Sequence, residues 1–245
     1  MIRIAAISDL HGILPKIAKC DLLLIAGDIV PLRIQSDRTQ SVVWFFQTFL
    51  EWVKEVPCEE IFIIAGNHDK ELAQNYPVAR ALEYLSDFKI TYLLNDVAVY
   101  RAPDGKNLKV YGSPQCHKFG NWAFMAEEPI LKELYASVPA KIDIWLTHDT
   151  PKTGDLDLLP PSQWNPQPVH AGGESLAEAI KEVSPKLVIC GHLHTCADKY
   201  LEKDGIKYCN VSIVNNEYDN VYSPTYINWD NDKITVTDSL DITHD

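Results

Sequence analysis

Five short polar motifs hold the residues of this chain whose types and spacing could support chemistry. Each motif follows an apolar run of the length that forms a buried β-strand, and each presents aspartate, asparagine or histidine. In chain order the motifs are SDLHG, AGDIV, AGNHD, LTHDT and CGHLH. The side chains that they supply are Asp9, His11, Asp28, Asn67, His68, His148, His192 and His194.

These side chains offer oxygen and imidazole ligands, with no thiolate among them. Such a set suits Mn, Fe, Zn, Ni or Co and argues against a structural zinc site built on cysteine. A tetrahedral ion needs four ligands, whereas seven or eight candidates end strands here, so we expect two ions that share a bridging carboxylate. A single motif of this kind is more often a turn, a helix cap or a hydrogen-bonded core histidine. The prediction therefore depends on the recurrence of the motifs.

The apolar runs before the motifs alternate with helical patterns, which is typical of an α/β domain with a partly parallel sheet. Strands are expected at 2–7, 22–26, 61–65, 142–147 and 187–190. Because ligand sites gather at the carboxyl ends of parallel strands, residues that are far apart in sequence can meet there. Glycines directly before Asp28, Asn67 and His192 indicate a backbone that turns sharply or approaches a ligand closely.

Periodicity predicts the helices. Apolar residues recur at spacings of three and four over 42–53, which indicates an amphipathic helix. A second helix is expected over 69–85, where Pro77 should break or kink it, and a third over 174–183.

Strands of a different kind are expected at 90–96, 97–103 and 108–114. The turn residues between them, Asn95-Asp96 and Asp104-Gly105, are typical of antiparallel neighbours. The sheet is therefore expected to be mixed.

Composition is that of an ordinary globular protein, and we expect residues 1–245 to form a single domain. No apolar run approaches the roughly 18 residues that span a bilayer, and the first apolar run is too short for a secretory signal. The six cysteines form no CxxC pair, so we expect reduced thiols and a cytoplasmic location. The net charge of −12 disfavours long nucleic acids as partners, because binding their backbones depends on Lys and Arg.

The ordered series of motifs resembles the calcineurin-like metallophosphoesterases, whose pattern is DxH, GD, GNH(D/E), (G/T)H and GHxH. The motifs run from Asp9 to His194. The segments VYGSPQCHKFGNWAFM and CNVSIVNNEY are similar to the small branch of metallophosphoesterase-domain proteins that is related to class III cyclic-nucleotide phosphodiesterases. The resemblance implies an α/β fold, a four-layer α/β/β/α sandwich of two mixed β-sheets flanked by helices, with the site at the strand ends.

The resemblance also implies a ligand map with two metal ions, manganese or iron being favoured. The first ion would be held by Asp9, His11 and His194, the second by Asn67, His148 and His192, and Asp28 would bridge them. The ions would lower the pKa of a shared water from about 15.7 towards about 7. His68 would be the catalytic group, a general acid for the departing alkoxide or at minimum a hydrogen-bond donor to the phosphoryl group.

The chain departs from the pattern of the family's protein phosphatases, GDxVDRG, in which an acid orients the catalytic histidine and an arginine binds phosphate. Pro31 and Leu32 occupy those two positions here. The residue that orients His68 is therefore unassigned, and Asp69 is a candidate both for that role and for a helix cap.

Two further departures concern the surroundings of the strand ends. Asp149 stands where close relatives more often have glycine, which suggests that it forms a hydrogen bond to a metal ligand without binding metal itself. His117 and Trp122 are candidates for substrate binding, with Asn67, since aromatic faces can stack on a flat leaving group; structural packing is the alternative.

The resemblance implies a dinuclear metal-dependent hydrolase of phosphoric esters, with a phosphodiesterase of small substrates such as cyclic nucleotides favoured. A phosphomonoesterase, or an enzyme that acts on both ester types, is the alternative among enzymes. A non-catalytic nucleotide- or metal-binding protein is the alternative of another class, and the complete ligand set argues against it. A small phosphoester, and neither a long nucleic acid nor a membrane, is thus the expected partner.

Overall fold

The computed structural model describes residues 1–74, 76–163, 165–231 and 233–237. In chain order the strands are β1 (Ile2–Ile7), β2 (Leu22–Ala26), β3 (Glu60–Ile64), β4 (Ile90–Tyr92), β5 (Asp96–Arg101), β6 (Asn107–Ser113), β7 (Cys116–His117), β8 (Met125–Ala126), β9 (Ile144–Thr147), β10 (Leu158–Leu159), β11 (Val169–His170), β12 (Leu187–Cys190), β13 (Tyr200–Lys203), β14 (Ile206–Asn210), β15 (Thr225–Asp230) and β16 (Lys233–Thr237). The sequence predicts a polar tail after the last strand, and residues 238–245, where it would lie, are outside the described residues.

The long strands form two six-stranded mixed sheets. The first sheet has the order β16-β15-β1-β2-β3-β4, in which β1 to β4 are parallel and β15 and β16 are antiparallel to their neighbours. The second has the order β13-β14-β12-β9-β6-β5, with a parallel centre and an antiparallel strand at each edge. Two short ribbons, β7 with β8 and β10 with β11, lie outside these sheets.

Helices cover the outer faces of both sheets. They are α1 (Arg38–Trp44), a π-helical segment (Phe45–Phe49), α2 (Leu50–Glu55), α3 (Lys70–Gln74), α4 (Tyr76–Leu85), α5 (Glu128–Tyr135), α6 (Glu174–Val183) and a 3₁₀ turn (His194–Cys196). No helix within the described ranges is long and apolar enough to cross a membrane.

Three apolar cores fill the spaces between these layers. Alternate residues of β1 serve two of them, because Ala5 and Ile7 face the helices α1 to α4 while Ile4 and Ala6 face the second sheet. The third core joins the second sheet to α5 and α6, around Trp145. Burial of the central strands on both faces explains their unbroken apolar sequences. The predicted four-layer α/β/β/α sandwich is confirmed.

The helix predicted over 42–53 is a longer helical run with a π-helical segment at its centre, where the rings of Phe45 and Phe49 pack edge to face at 5.8 Å. Within the range 69–85 that was predicted as a helix, the structure describes helices at Lys70–Gln74 and Tyr76–Leu85, and Pro77 is the second residue of the latter.

The antiparallel pairing predicted for 90–114 is correct for β5 and β6 and wrong for β4. Strand β4 pairs in parallel with β3 in the first sheet, whereas β5 is an edge strand of the second sheet. The turn at Asn95, which has φ 56°, carries the chain from one sheet to the other. Turn residues show where a chain changes direction, but they do not show which sheet it enters.

Candidate metal centre and active site

The five polar motifs follow β1, β2 and β3 of the first sheet and β9 and β12 of the second. These strand ends meet at one edge of the sandwich, and backbone hydrogen bonds join them within each sheet. The N–H of Asp9 donates to the carbonyl of Gly27 at 3.0 Å, and that of Gly191 donates to the carbonyl of His148 at 3.2 Å. A bridge between Ser8 and Ser212 ties the two sheets together beside the site.

Several of the polar residues have left-handed backbone conformations that side chains other than glycine rarely adopt. Asp9, His11, Asp28 and His192 have φ of 57°, 42°, 53° and 68°. Each such conformation costs about 1 kcal/mol or more, and it persists where the surrounding structure enforces it, most often at functional sites.

The carboxylate of Asp28 lies between imidazoles from both sheets. Its Oδ2 is 3.4 Å from Nε2 of His148 and 3.8 Å from Nε2 of His11. Its Oδ1 accepts the backbone N–H of His68 at 2.8 Å. Asp28 is 1% exposed. One buried carboxylate therefore faces the residues expected to hold each of two ions.

On one side of Asp28, a ligand atom from each of Asp9, His11 and His194 lies within 4.8 Å of the other two. Nε2 of His194 is 3.3 Å from Oδ1 of Asp9. The structure thus brings together all three residues expected to hold the first ion.

On the other side, Oδ1 of Asn67 is 3.0 Å from Nε2 of His148, and the rings of His148 and His192 lie 5.1 Å apart. The Nδ1–H of His148 donates to the carbonyl of Ala26 at 2.7 Å, which orients the ring with Nε2 towards Asp28. The thiol of Cys116, which sequence reasoning did not single out, lies within 4.8 Å of a ring nitrogen of both His148 and His192.

The electrostatics of the cluster favour a cation. Burial lowers the pKa of His11 and of His192 to about 4, so both imidazoles are neutral near pH 7 and can offer a lone pair. Burial alone would raise the pKa of Asp9 and Asp28, but the nearby imidazoles outweigh it and hold both pKa values below the usual range. Burial alone would lower the pKa of His148 and of His194 as well, but the charges of Asp28 and Asp9 outweigh it and raise the pKa of His148 to about 10 and that of His194 above its usual value. The site therefore combines two ionised carboxylates with two neutral imidazoles and two that favour a positive charge.

His11 supplies a direct test of whether a metal fits. The residue is 8% exposed, and neither of its ring nitrogens makes a hydrogen bond to any described residue. A buried polar group without a partner costs about 1–3 kcal/mol, and coordination of an ion would satisfy it. Together with the oxygen and imidazole donor set, this shows that the residues fit a pair of transition-metal ions.

Asp69 directly precedes α3, and its backbone carbonyl accepts the N–H groups of Leu72 and Ala73, but its carboxylate neither caps that helix nor orients His68. Its fully buried carboxylate accepts the backbone N–H groups of Ile29, Val30 and Gly66 at 2.8–3.1 Å, and no hydrogen bond joins it to the His68 ring. It therefore holds the loop after β2 against the loop after β3, which sets the position of Asp28 relative to the AGNHD motif.

The ring of His68 is oriented by Gln35, a residue that sequence reasoning missed. The Nδ1 atom of His68 makes a short contact with Oε1 of Gln35, and the ring packs 4.6 Å from Trp122. The other ring nitrogen, Nε2, lies 3.8 Å from Oδ2 of Asp28. In the sequence, Pro31 stands where the family's protein phosphatases have the acid that orients the catalytic histidine. That substitution was the signal that another side chain near the AGDIV motif, here Gln35, has to orient His68.

A cavity of about 580 Å³ opens onto the cluster and is walled by aromatic side chains. Trp122 and Phe119 are 37% and 57% exposed, and Phe119 packs 5.2 Å from the ring of His192. Tyr218, which sequence reasoning did not name as a site residue, packs edge to face on His11 and His194 at 4.9 and 5.0 Å. The segment that contains Tyr218 was part of the resemblance to the small branch.

His117 also lines this cavity, and hydrogen bonds to Asp149 fix its position. Oδ2 of Asp149 accepts the backbone N–H of His117 at 3.0 Å and lies 2.9 Å from its Nδ1. The hydrogen bond to Asp149 raises the pKa of His117 against the opposing effect of burial.

The sandwich and its cluster of carboxylates and imidazoles define a metallophosphoesterase. The family model for calcineurin-like phosphoesterases matches residues 2–196, and the chain belongs to this family. Membership supports a metal-dependent phosphoester hydrolase with a dinuclear metal centre.

One relative carries the name of the family, and a solved structure shares the fold. Human metallophosphoesterase domain-containing protein 1 is 27% identical over 246 residues, which cover 92% of this chain and 70% of the human protein. A probable rhamnogalacturonate lyase C of Emericella nidulans is 29% identical over 198 residues, but these cover 79% of this chain and only 17% of that protein. A Thermus thermophilus protein of known structure superposes with a TM-score of 0.59 at 15% identity, over 96% of this chain and 98% of the other.

Proposed function

We propose that this chain is a dinuclear metal-dependent phosphodiesterase that acts on small phosphodiesters, with cyclic nucleotides as the favoured class. The observation that carries the proposal is the position of Asp28, whose Oδ2 lies 3.8 Å from His11 and 3.4 Å from His148. A single carboxylate oriented towards both groups of donors is what a pair of bridged ions requires.

In the proposal, Asp9, His11 and His194 would hold one ion, Asn67, His148 and His192 would hold the other, and Asp28 would be available to both. When bound, the two cations supply a water molecule of lowered pKa and neutralise charge on the phosphoryl oxygens. Asn67 and His68 bind the phosphoryl group, His68 through a hydrogen bond from its ring. Gln35 keeps that ring in place. Manganese and iron are the favoured metals.

A small substrate with a flat group is supported by the size and walls of the cavity. A volume of about 580 Å³ suits a ligand of nucleotide size and not a polymer. The exposed faces of Phe119, Trp122 and Tyr218 can stack on a base or another aromatic group. The net charge of −12 gives a polyanion no basic surface to follow.

The proposal includes two broader statements about the chain. We propose that the described residues form one domain, because both sheets contribute to one shared core. We also propose a cytoplasmic location, supported by six thiols that are all unpaired.

The experiment is a comparison of hydrolysis and metal content. The chain, loaded with Mn²⁺, is assayed with bis-p-nitrophenyl phosphate, p-nitrophenyl phosphate and 2′,3′- and 3′,5′-cyclic nucleotides, and bound metal is measured by elemental analysis. Asp28→Asn and Asn67→Ala should lose metal and activity together. Asp96→Asn, which changes an exposed carboxylate on the edge strand β5, is the matched control and should retain both.

Each alternative has a distinct outcome. A preference for p-nitrophenyl phosphate over every diester would identify a phosphomonoesterase. A metal-loaded protein that binds a nucleotide but hydrolyses none of these esters would be a binding protein. His68→Ala should slow hydrolysis with near-normal metal content, and equal loss of metal would show that His68 is a ligand.

A further inference from the structure

We propose that His117, held by Asp149, is a second catalytic group of this site and donates the proton that the leaving oxygen of the substrate requires. The inference rests on the proposed phosphoesterase function and assigns the leaving-group proton to His117, so that His68 keeps the hydrogen bond to the phosphoryl oxygen.

The geometry of the pair is that of an oriented proton donor. Oδ2 of Asp149 receives two hydrogen bonds from His117, one from the backbone N–H at 3.0 Å and one from the ring Nδ1–H at 2.9 Å. Asp149 is fully buried, so its carboxylate cannot follow a moving ring. Both the main chain and the ring of His117 are therefore fixed by one immobile anion.

The ring nitrogen of His117 that Asp149 does not bind, Nε2, is available to a substrate because the residue lines the cavity. The structure shows no hydrogen bond from Nε2 of His117 to any other described residue, and 21% of the side chain is exposed. His117 lines the same cavity as His68. It lies 6.1 Å from the ring of Phe119, which packs on His192, whereas His68 packs on Trp122. The cavity thus contains two imidazoles, each beside its own aromatic side chain.

The hydrogen-bond partners of the two imidazoles differ in charge. This difference assigns the leaving-group proton to His117 and the hydrogen bond to the phosphoryl oxygen to His68. Gln35 gives His68 a neutral amide as its hydrogen-bond partner, and Oδ2 of Asp28 lies 3.8 Å from Nε2 of the same ring, beyond hydrogen-bond distance. Asp149 gives His117 a carboxylate within hydrogen-bond distance, and its second oxygen, Oδ1, is buried with no hydrogen-bond partner among the described residues. A buried carboxylate that is hydrogen-bonded to an imidazole favours the imidazolium form.

The charged groups around His117 act in the same direction. Its pKa is raised by the hydrogen bond to Asp149 first, while burial opposes the shift, and the charges of Asp149 and Glu128 add to the rise. A protonated ring near neutral pH is the state that a general acid needs before the reaction.

The step balances as an ordinary hydrolysis. The oxygen of water forms a bond to phosphorus and releases one of its protons to solvent, and the bond between phosphorus and the leaving oxygen breaks. The electron pair of that bond stays on the leaving oxygen, which takes the proton from Nε2 of His117. The neutral ring keeps its Nδ1–H on Asp149 and regains a proton from solvent. The products are a phosphomonoester and an alcohol.

The experiment compares His117→Gln with the unchanged chain on diesters that differ only in the leaving phenol, from p-nitrophenol to phenol. A nitrophenolate leaves without a proton, so His117→Gln should slow its release only slightly. Release of phenol should slow by about 100-fold or more, the usual contribution of a general acid. Metal content and thermal unfolding are measured alongside: metal content should stay near that of the unchanged chain, and the fold should be retained at the assay temperature.

His170→Gln is the matched control, because Nδ1 of His170 also lies 3.0 Å from a buried carboxylate, that of Asp157, but the residue does not line the cavity. It should leave both rates unchanged. A second readout does not depend on turnover. Nuclear magnetic resonance of the metal-free protein should show a pKa of His117 above the usual histidine value, and this pKa should be lower in Asp149→Asn.

The outcomes separate the two proposals. An equal loss for every leaving group in His117→Gln, or no loss at all, would overturn the assignment of His117 as the acid and leave the phosphoesterase proposal standing. A chain that binds metal but hydrolyses no diester would overturn both.

Discussion

Oδ2 of Asp28 lies 3.4 Å from Nε2 of His148, although Asp28 ends a strand of the first sheet and His148 ends a strand of the second. The contact joins the two halves of the sandwich at its strand ends. It also gathers two buried carboxylates, Asp9 and Asp28, beside imidazoles that can bind a cation once they are deprotonated, so we expect metal binding to couple to folding.

Metal should therefore stabilise the fold. At a free metal concentration of about 100 times the dissociation constant, binding adds about 2.7 kcal/mol, which corresponds to a rise of roughly 5–10 °C in unfolding temperature for a chain of this size. Thermal unfolding with Mn²⁺ and with a chelator measures the difference. Asp28→Asn should abolish the rise and Asp96→Asn should keep it. A rise of the same size in Asp28→Asn would place the stabilising ion elsewhere.

Gly66→Ala should displace the shared carboxylate. A β-carbon at this position would lie 2.7 Å from Cε1 of His148 and closer still to the side chain and backbone N of Asp28, and atoms cannot approach so closely. We expect loss of metal binding with retention of the fold, measured by elemental analysis and circular dichroism.

Gly105→Ala is the control for that substitution, because a β-carbon there meets nothing within 4 Å. Its φ of +85° makes the alanine variant less stable by about 1–2 kcal/mol, yet its metal content should be normal. Normal metal content in Gly66→Ala would contradict the position assigned to Asp28.

Asp69→Ala should destabilise the protein more than a typical surface change, because it leaves the buried backbone N–H groups of Ile29, Val30 and Gly66 without an acceptor. Each buried unsatisfied donor costs about 1–3 kcal/mol, so we expect a loss of about 3 kcal/mol or more in urea unfolding. Asp69→Asn keeps one acceptor oxygen and should lose less. An Asp69→Ala variant as stable as the unchanged chain would contradict the role of the carboxylate as acceptor of these N–H groups.

The pair of His117 and Asp149 should make stability depend on pH. The folded-state pKa of His117 is raised, so its contribution to the free energy of unfolding is fully present below the unfolded value, near 6.5, and is lost as pH rises through the folded pKa. Urea unfolding of the metal-free protein should show wild type more stable than His117→Gln by about 1 kcal/mol at about pH 6, with a smaller difference at about pH 9. A difference that grows with pH would contradict the protonated pair.

Much of the architecture could be predicted from the residues themselves. Runs such as Leu22–Ala26 are apolar at every position because both faces of the strand are buried, and this marks a central strand in any context. The strands at Ile2–Ile7 and Leu187–Cys190 and the helix Glu174–Val183 have the predicted bounds for the same kind of reason, since period and composition report burial directly.

Other features could not be predicted because they depend on which distant segments pack together. Three contacts join residues from separate loops: Gln35 with His68, the ring of Tyr218 with that of His11, and the hydrogen bond between Asp149 and His117. The placement of β4 and β5 in different sheets is of the same kind. No local period encodes such pairings.

By itself, the sequence determined the order of the polar motifs, the chemistry of their donors and the layered α/β architecture. Tertiary structure alone decided which side chains surround those donors: an amide on His68, a carboxylate on His117 and aromatic walls on the cavity. The physical reason is that the sequence of each strand reports which of its faces are buried. Which side chains contact one another across the site is determined by the packing of the two sheets and the loops between them.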